Sequence, residues 1–347
     1  MNEARLIITL GPSTLNEEFL SQVDDLDVSL LRINMSHSSI KDLKEAISLI
    51  KKYSSLPICI DSEGAQLRCT QVRDDKVFFT KGTVVSIIPP SHDFVGSERS
   101  IAFTPSDVSS QFRAGDLISI DFDGAKLRVI DSPSSGESGD CIKAIVETAG
   151  FVKSNRAANL NRPLDLDPIT TKDREAFKVG SKLGIKHYAL SFASSKKDVE
   201  TVLDFIPNDS TLISKIESID ALQNLDEILS VTDEILIDRG DLSRQVPIES
   251  IPFLQKLIIE RARYCKVPVL VATNLLETMI EKSQPTRAEM NDIVSTLATG
   301  ANGLVLAAET AIGNYPIRTI KIITTIRDYF NKWNVGVKIS DILNSLS

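Results

Sequence analysis

The 347-residue sequence contains only four cysteines, three histidines and one tryptophan. Cys59, Cys69, Cys141 and Cys265 are scattered with no CxxC pair, which argues against a zinc site and against a disulfide framework. His37, His92 and His187 are too few for a multi-histidine metal centre. No apolar run reaches the roughly 18 residues that a membrane span needs. The opening MNEARLIITLGPS lacks the apolar core and small-residue cleavage site of a secretory signal, so a cytoplasmic, reduced protein is expected. A basic surplus is missing too: 39 lysines and arginines face 47 aspartates and glutamates, a net charge of −8. This speaks against nucleic acid as a partner, yet it leaves room for one small phosphorylated ligand in a locally basic pocket.

What is present is a rhythm. Short apolar runs recur as RLIITLG (5–11), SLLRINM (29–35), PICIDSE (57–63), HYALSF (187–192), TLISKIE (211–217), EILIDR (234–239), PVLVATN (268–274) and GLVLAAE (303–309). Near-continuous Val/Ile/Leu runs are typical of strands buried on both faces. Amphipathic stretches such as 39–53 and 250–264 lie between them, with apolar residues at three- and four-residue spacing. Strand alternating with helix implies a parallel sheet, and eight such strands close a (β/α)₈ TIM barrel. Between about Leu67 and Arg156 the alternation fails. Strand-like pieces (VVSIIPP, GDLISIDFDG, KLRVID, CIKAIVETAG) replace it, with SPSSGESGD (132–140) as a turn or loop. The expected organisation is a barrel begun by 1–66, a small all-β lid inserted after strand three over 67–156, a barrel completed by 157–334, and a tail over 335–347.

Catalytic groups of such barrels sit at the C-terminal ends of the strands. Here those positions carry Arg32, Asn34 and Ser36; Asp61 and Ser62, with Arg68 shortly after; Lys215 and Glu217; Arg239, Gly240 and Asp241; Thr273 and Asn274; and Glu309 and Thr310. In an extended chain residues i and i+2 share a face, so Lys215 and Glu217 project together. Taken alone, they are either a neutralised strand-end ion pair or a pair facing a ligand. Glu217 and Asp241 suit Mg²⁺, which takes one or two carboxylates and completes its shell with water and phosphate. Arg32 and Lys215 supply cations for a phosphoryl group. Asn34, Ser36, Asp61 and Ser62 offer an oxygen-rich set for a monovalent cation, or else a capping network. Gly240 lets backbone amides approach a carboxylate. Thr286 and Glu289 have the spacing of a capping box and read as structural.

TLGPST, LLRINMSHS, LISKIES, DRGDLS, VATNLLETM, QPTRAEMNDI and AAETAIGNYP occur in an order and spacing that resembles the pyruvate kinase family through about residue 334. The resemblance implies a barrel with a β-rich lid and phosphoryl transfer from phosphoenolpyruvate to ADP, giving pyruvate and ATP. It implies Mg²⁺ or Mn²⁺, and K⁺, as cofactors. By motif, Lys215, Thr273 and Arg32 are catalytic, and Arg32, Lys215, Gly240, Asp241 and Thr273 contact substrate. Glu217 and Asp241 bind Mg²⁺, while Asn34, Ser36, Asp61 and Ser62 bind K⁺. Pro12, His37, Arg68 and Arg156 contact nucleotide. No nucleic acid or membrane partner is implied, and the oligomeric state stays open.

Four departures accompany the resemblance. The family's C-terminal domain is absent from the sequence, so regulation through it is not expected. DTKGPEIR appears as DSEGAQLR, which puts Glu63 where a lysine stands near the phosphates and Gln66 where a charge tracks potassium dependence. SGET appears as AAET, with Ala307 in place of a serine of the hydroxyl relay. These changes leave two other readings open. One is a metal-dependent lyase or decarboxylase acting on a pyruvate-type enolate. The other is a catalytically silent sensor of phosphoenolpyruvate or nucleotide.

Overall fold

In a computed structural model of the chain, residues 4–333 are described except 65, 92, 122–123, 132–140 and 163, together with 338 and 340. The expected 132–140 loop, His92 and most of the 335–347 tail lie outside the described residues. Two compact units emerge, one formed by 1–64 with 168–347 and the other by 65–167.

The eight apolar runs become eight parallel strands of the first unit. They are β1 (Arg5–Thr9), β2 (Leu30–Asn34), β3 (Ile58–Asp61), β4 (His187–Leu190), β5 (Thr211–Ile216), β6 (Glu234–Asp238), β7 (Val269–Ala272) and β8 (Gly303–Leu306). They pair in the order β1-β8-β7-β6-β5-β4-β3-β2 and close into a barrel. β7 and β8 stop short of the expected polar ends, so Thr273, Asn274, Glu309 and Thr310 belong to the segments after them.

Helices close each repeat because the intervening sequence supplies both an apolar stripe and a start signal. Ser39, Thr170 and Thr286 each cap a helix whose third residue, Asp42, Asp173 or Glu289, reaches back to the cap amide. The capping reading of Thr286 and Glu289 therefore holds; the Glu289 amide donates to Thr286 Oγ1 at 3.2 Å. That helix, Arg287–Thr299, ends on Gly300 in the left-handed region, where a side chain would be strained. Among the described residues no helix is long and apolar enough to cross a membrane.

Strand residues alternate between two cores. Leu6, Ile8, Leu31, Ile33, Ile60, Leu212, Ile235 and Val271 pack outward with helix residues such as Phe177, Ile258 and Ile293. Ile7, Leu30, Cys59, Ala189, Ile213, Leu236, Leu270, Ala272 and Val305 fill the barrel interior. This interior layer determines which polar residues reach the mouth, since two residues beyond an inward-facing residue the chain faces inward again. Thr9, Arg32, Asp61, Ser191, Lys215 and Asp238 stand in that position, at the C-terminal mouth.

Among its described residues the unit 65–167 forms β-strands and short helical turns. Its six-stranded sheet runs Ala158–Leu160, Leu117–Ile120, Lys126–Val129, Ile142–Thr148, Val84–Ile87, Ser100–Ile101. Two strand pairs accompany it, Lys76–Phe79 with Gly150–Lys153 and Arg68–Cys69 with Phe103–Thr104. Burial has a period of two: in Lys76–Phe79, Val77 and Phe79 are buried while Lys76 and Phe78 are exposed. Phe79, Phe103, Phe112, Ile118 and Leu127 make a core of their own. Phe103 and Phe112 meet edge to face at 5.9 Å, a geometry that aromatic quadrupoles favour.

Candidate active site

Lys215 lies two residues beyond Ile213 of the barrel interior, so β5 delivers its ammonium to the mouth with only 4% of the residue exposed. Its Nζ donates to Ser191 Oγ at 3.1 Å. Glu217 Oε2 stands at 3.1 Å, Asp238 Oδ2 at 3.3 Å and Asp61 Oδ2 at 3.8 Å. Burial alone would lower the lysine's pKa, but the carboxylates of Asp61, Glu217 and Asp238 outweigh it and hold the pKa above the ordinary range. The lysine is therefore a fixed cation.

Arg32 comes from β2 and lies beside it. Its Nε approaches Asp61 Oδ2 at 2.9 Å, and both side chains are buried. Desolvation works against the guanidinium, and Asp61 together with Asp238 more than offsets it. Part of Arg32 has no partner: Nη1 is buried without a hydrogen bond. A buried cation with unused donors is placed to receive an anion.

Glu217 is fully buried, and its Oε1 accepts from the Phe192 amide at 2.6 Å. Its Oε2 pairs with Lys215 Nζ at 3.1 Å and accepts no other hydrogen bond. Burial pushes the carboxyl up to about 8; Lys215 opposes that, while Asp238 and Asp241 add to it. Ligand oxygens of Glu217, Asp238 and Asp241 lie within 4.8 Å of one another. Of the buried groups, three acids (Asp61, Glu217, Asp238) face two cations (Arg32, Lys215). Asp241 adds a further acid at the rim, where Arg244 Nη1 approaches it at 3.4 Å. Glu217 Oε2 meets the Lys215 ammonium, and the buried acids together with Asp241 outnumber the two cations, so a divalent ion that takes the place of the Glu217 proton fits this set.

Thr273 comes directly after β7. Its hydroxyl donates to Asp238 Oδ1 at 2.6 Å, and its backbone φ is +76°, unusual for a β-branched residue. Asp238 also caps the one-turn helix Arg239–Leu242, accepting from the Gly240 amide at 3.2 Å. The Gly240 amide is thus turned to Asp238. A Cβ on Gly240 would meet the Thr273 methyl at 2.8 Å. Arg239 does not face the mouth: it donates to the Thr273 carbonyl and to Asp292.

The remaining positions divide. Asn34 and Asp61 are register partners on β2 and β3. Asn34 Oδ1 accepts from the Ser36 amide at 2.9 Å, which is the capping arrangement. Ser62 Oγ accepts from the Ser191 amide at 2.9 Å. Pro12 and His37 are exposed in the segments after β1 and β2. Arg68 and Arg156 belong to the other unit, where the Cys69 amide donates to the Arg156 carbonyl and Arg156 Nε faces Asp121 at 3.5 Å. Glu309 is spent structurally, accepting from the amides of Leu276 and Ala307. Glu63 does not stand uncompensated, because Lys172 Nζ pairs with it at 3.1 Å. Two members of the cluster, Ser191 and Asp238, escape the strand-end reading of the sequence. The signal that finds them is the step of two from Ala189 and Leu236.

Comparisons with known proteins agree with one another. Residues 1–320 match the family described as pyruvate kinase, barrel domain. A pyruvate kinase of Thermotoga maritima is 33% identical over 340 residues, covering 94% of this chain and 70% of the relative. Plastidial pyruvate kinase 3, chloroplastic, of Arabidopsis thaliana is 31% identical over 334 residues, covering 93% of this chain but only 57% of the relative. A crystal structure of a pyruvate kinase from Cryptosporidium parvum superposes with a TM-score of 0.82 at 26% identity, covering 95% of this chain and 69% of that one.

Proposed function

The chain belongs to the pyruvate kinase family, and from that premise we propose that it catalyses phosphoryl transfer from phosphoenolpyruvate to ADP, giving pyruvate and ATP. One observation carries the reading: a buried, permanently charged Lys215 stands 3.1 Å from Glu217 in a buried cluster that also holds the Arg32 guanidinium. Phosphoryl transfer asks a protein for positioning and for charge placed where charge develops, and fixed buried cations supply both.

In this reading Arg32 takes the substrate phosphate through its unused donors, and Lys215 stabilises the transferring group and the enolate left behind. Thr273 is proposed to stand near the carbon that receives the enolate's proton, with Gly240 and Asp241 nearer the substrate carboxylate. Glu217 and Asp241 would hold Mg²⁺ or Mn²⁺, which supplies neutralisation of phosphate oxygens. Asn34, Ser36, Asp61 and Ser62 are proposed for K⁺; the carboxamide and hydroxyl oxygens among them keep a lone pair after the bonds described. Pro12, His37, Arg68 and Arg156 are proposed nucleotide contacts. The place of action is proposed to be the cytoplasm.

A coupled assay with purified protein, phosphoenolpyruvate, ADP, Mg²⁺ and K⁺ tests the proposal. It expects pyruvate and ATP in equal amounts, and their loss in Lys215→Met. Turnover no greater than that of the variant would end it.

A further inference from the structure

We propose that Asp238 is a positioning residue of this site, locking the Thr273 hydroxyl and the Lys215 ammonium into one fixed arrangement. The inference rests on the phosphoryl-transfer reading for its kinetic consequence, though not for its geometry.

Asp238 is the last residue of β6, two beyond Leu236 of the barrel interior, so its carboxylate enters the mouth with 7% of the residue exposed. An ionised carboxylate only accepts hydrogen bonds, and its two oxygens are divided here. Oδ1 accepts from Thr273 Oγ1 at 2.6 Å and from the Gly240 amide at 3.2 Å. Oδ2 faces Lys215 Nζ at 3.3 Å. A threonine hydroxyl has one proton, and Asp238 holds it. Thr273 therefore turns only lone pairs toward whatever occupies the mouth. In that state it accepts from a water or an acid near the substrate carbon and orients that donor; it does not itself donate.

The two residues after Asp238 grip the rest of Thr273. Arg239 Nε and Nη2 donate to its carbonyl at 3.0 and 2.6 Å. Gly240 leaves room for its methyl, which a Cβ would meet at 2.8 Å. Holding a β-branched residue at φ +76° requires such over-determination. The run Asp238–Arg239–Gly240 thus fixes the hydroxyl, carbonyl and methyl of one threonine. The same carboxylate spans to the lysine on the neighbouring strand.

A double-mutant cycle on Asp238→Ala and Thr273→Val tests the proposal. Each single change is expected to lower kcat about 100-fold, the scale of a 1 Å misplacement, while KM for phosphoenolpyruvate moves much less. The double variant is expected to be no slower than the slower single, because both remove one unit. Thr273→Ser keeps the hydroxyl and is expected to restore most of kcat. Multiplicative effects, a change confined to KM, or a serine variant as slow as valine would overturn the proposal. A crystal structure of Asp238→Ala decides the geometry without turnover: Thr273 is expected to leave the positive-φ region and Lys215 Nζ to shift. An unchanged site overturns the proposal. Wild-type protein without turnover would count against the phosphoryl-transfer reading, and the crystal structure would still decide this one.

Discussion

Replacing Glu217 with glutamine is expected to stabilise the metal-free protein at neutral pH and to erase its response to Mg²⁺. The Glu217 carboxyl is fully buried and titrates at about 8 instead of its ordinary 4.5. The folded protein therefore keeps this proton to about pH 8, whereas the unfolded chain releases it near 4.5. A carboxyl shifted upward contributes most below its unfolded pKa, and its contribution is lost as pH rises through the folded one. Each unit costs the fold about 1.4 kcal/mol, so by pH 7 the loss is about 3 kcal/mol as an upper bound. Glutamine carries no charge to neutralise and retains an acceptor for the Phe192 amide. Lys215 keeps Asp61 and Asp238 as counter-charges. Thermal unfolding at pH 5, 7 and 8, with chelator and with Mg²⁺, reads both effects. In chelator at pH 7 the variant is expected to melt several degrees above wild type, and the gap is expected to close toward pH 5. Mg²⁺ at about 100 times its Kd is expected to stabilise wild type by about 2.7 kcal/mol and to leave the variant unmoved. A variant that melts lower at pH 7 in chelator, yet still responds to Mg²⁺, would refute the reasoning.

Under the proposed metal role of Glu217, Mg²⁺ binding below pH 8 displaces its proton, so affinity is expected to rise with pH and about one proton to leave per ion; calorimetry in two buffers of different ionisation enthalpy counts it, and a count of zero at pH 6.5 contradicts the charge assignment. Arg32→Met leaves the buried Asp61 carboxylate short of a partner and is expected to cost about 3–5 kcal/mol in denaturant unfolding; a loss under 1 kcal/mol would mean that Lys215 suffices alone. Gly64 has φ +75°, and a Cβ there would lie 2.8 Å from the Ser191 Cβ and carbonyl. Gly64→Ala is therefore expected to cost about 1–3 kcal/mol in the same assay, and to slow turnover by displacing the hydroxyl that receives Lys215. Unchanged stability and rate would show that the loop yields freely.

The barrel was legible because its strands are buried on both faces, and long apolar runs such as SLLRINM and EILIDR have few other uses. The helix starts were legible where a side chain does local work, as at Thr286 and Glu289. Lys215, Glu217 and Arg32 could be read from the step-of-two rule, since each is a charged residue at or near the C-terminal end of its strand. Asp238 and Ser191 were missed for a different reason. Each ends an apolar run and looks like its boundary; only knowing that Leu236 and Ala189 face the barrel interior turns them inward. Glu309 failed in the opposite sense. Its place after GLVLAA resembles a site position, but a one-turn helix folds its carboxylate back onto two backbone amides. The charge reversal at Glu63 was visible without its compensation, because Lys172 lies 109 residues away in sequence.

The central claim is that the acidic groups around Lys215, which outnumber its charge and that of Arg32 once Glu217 gives up its proton, hold one divalent ion against a phosphate. Paramagnetic titration with Mn²⁺, combined with anomalous diffraction from crystals containing Mn²⁺ and phosphoenolpyruvate, tests it most directly. One ion per chain is expected, lying between the carboxylates of Glu217 and Asp241, with binding lost in Glu217→Gln. An ion found elsewhere, or bound equally well by the variant, would contradict the account.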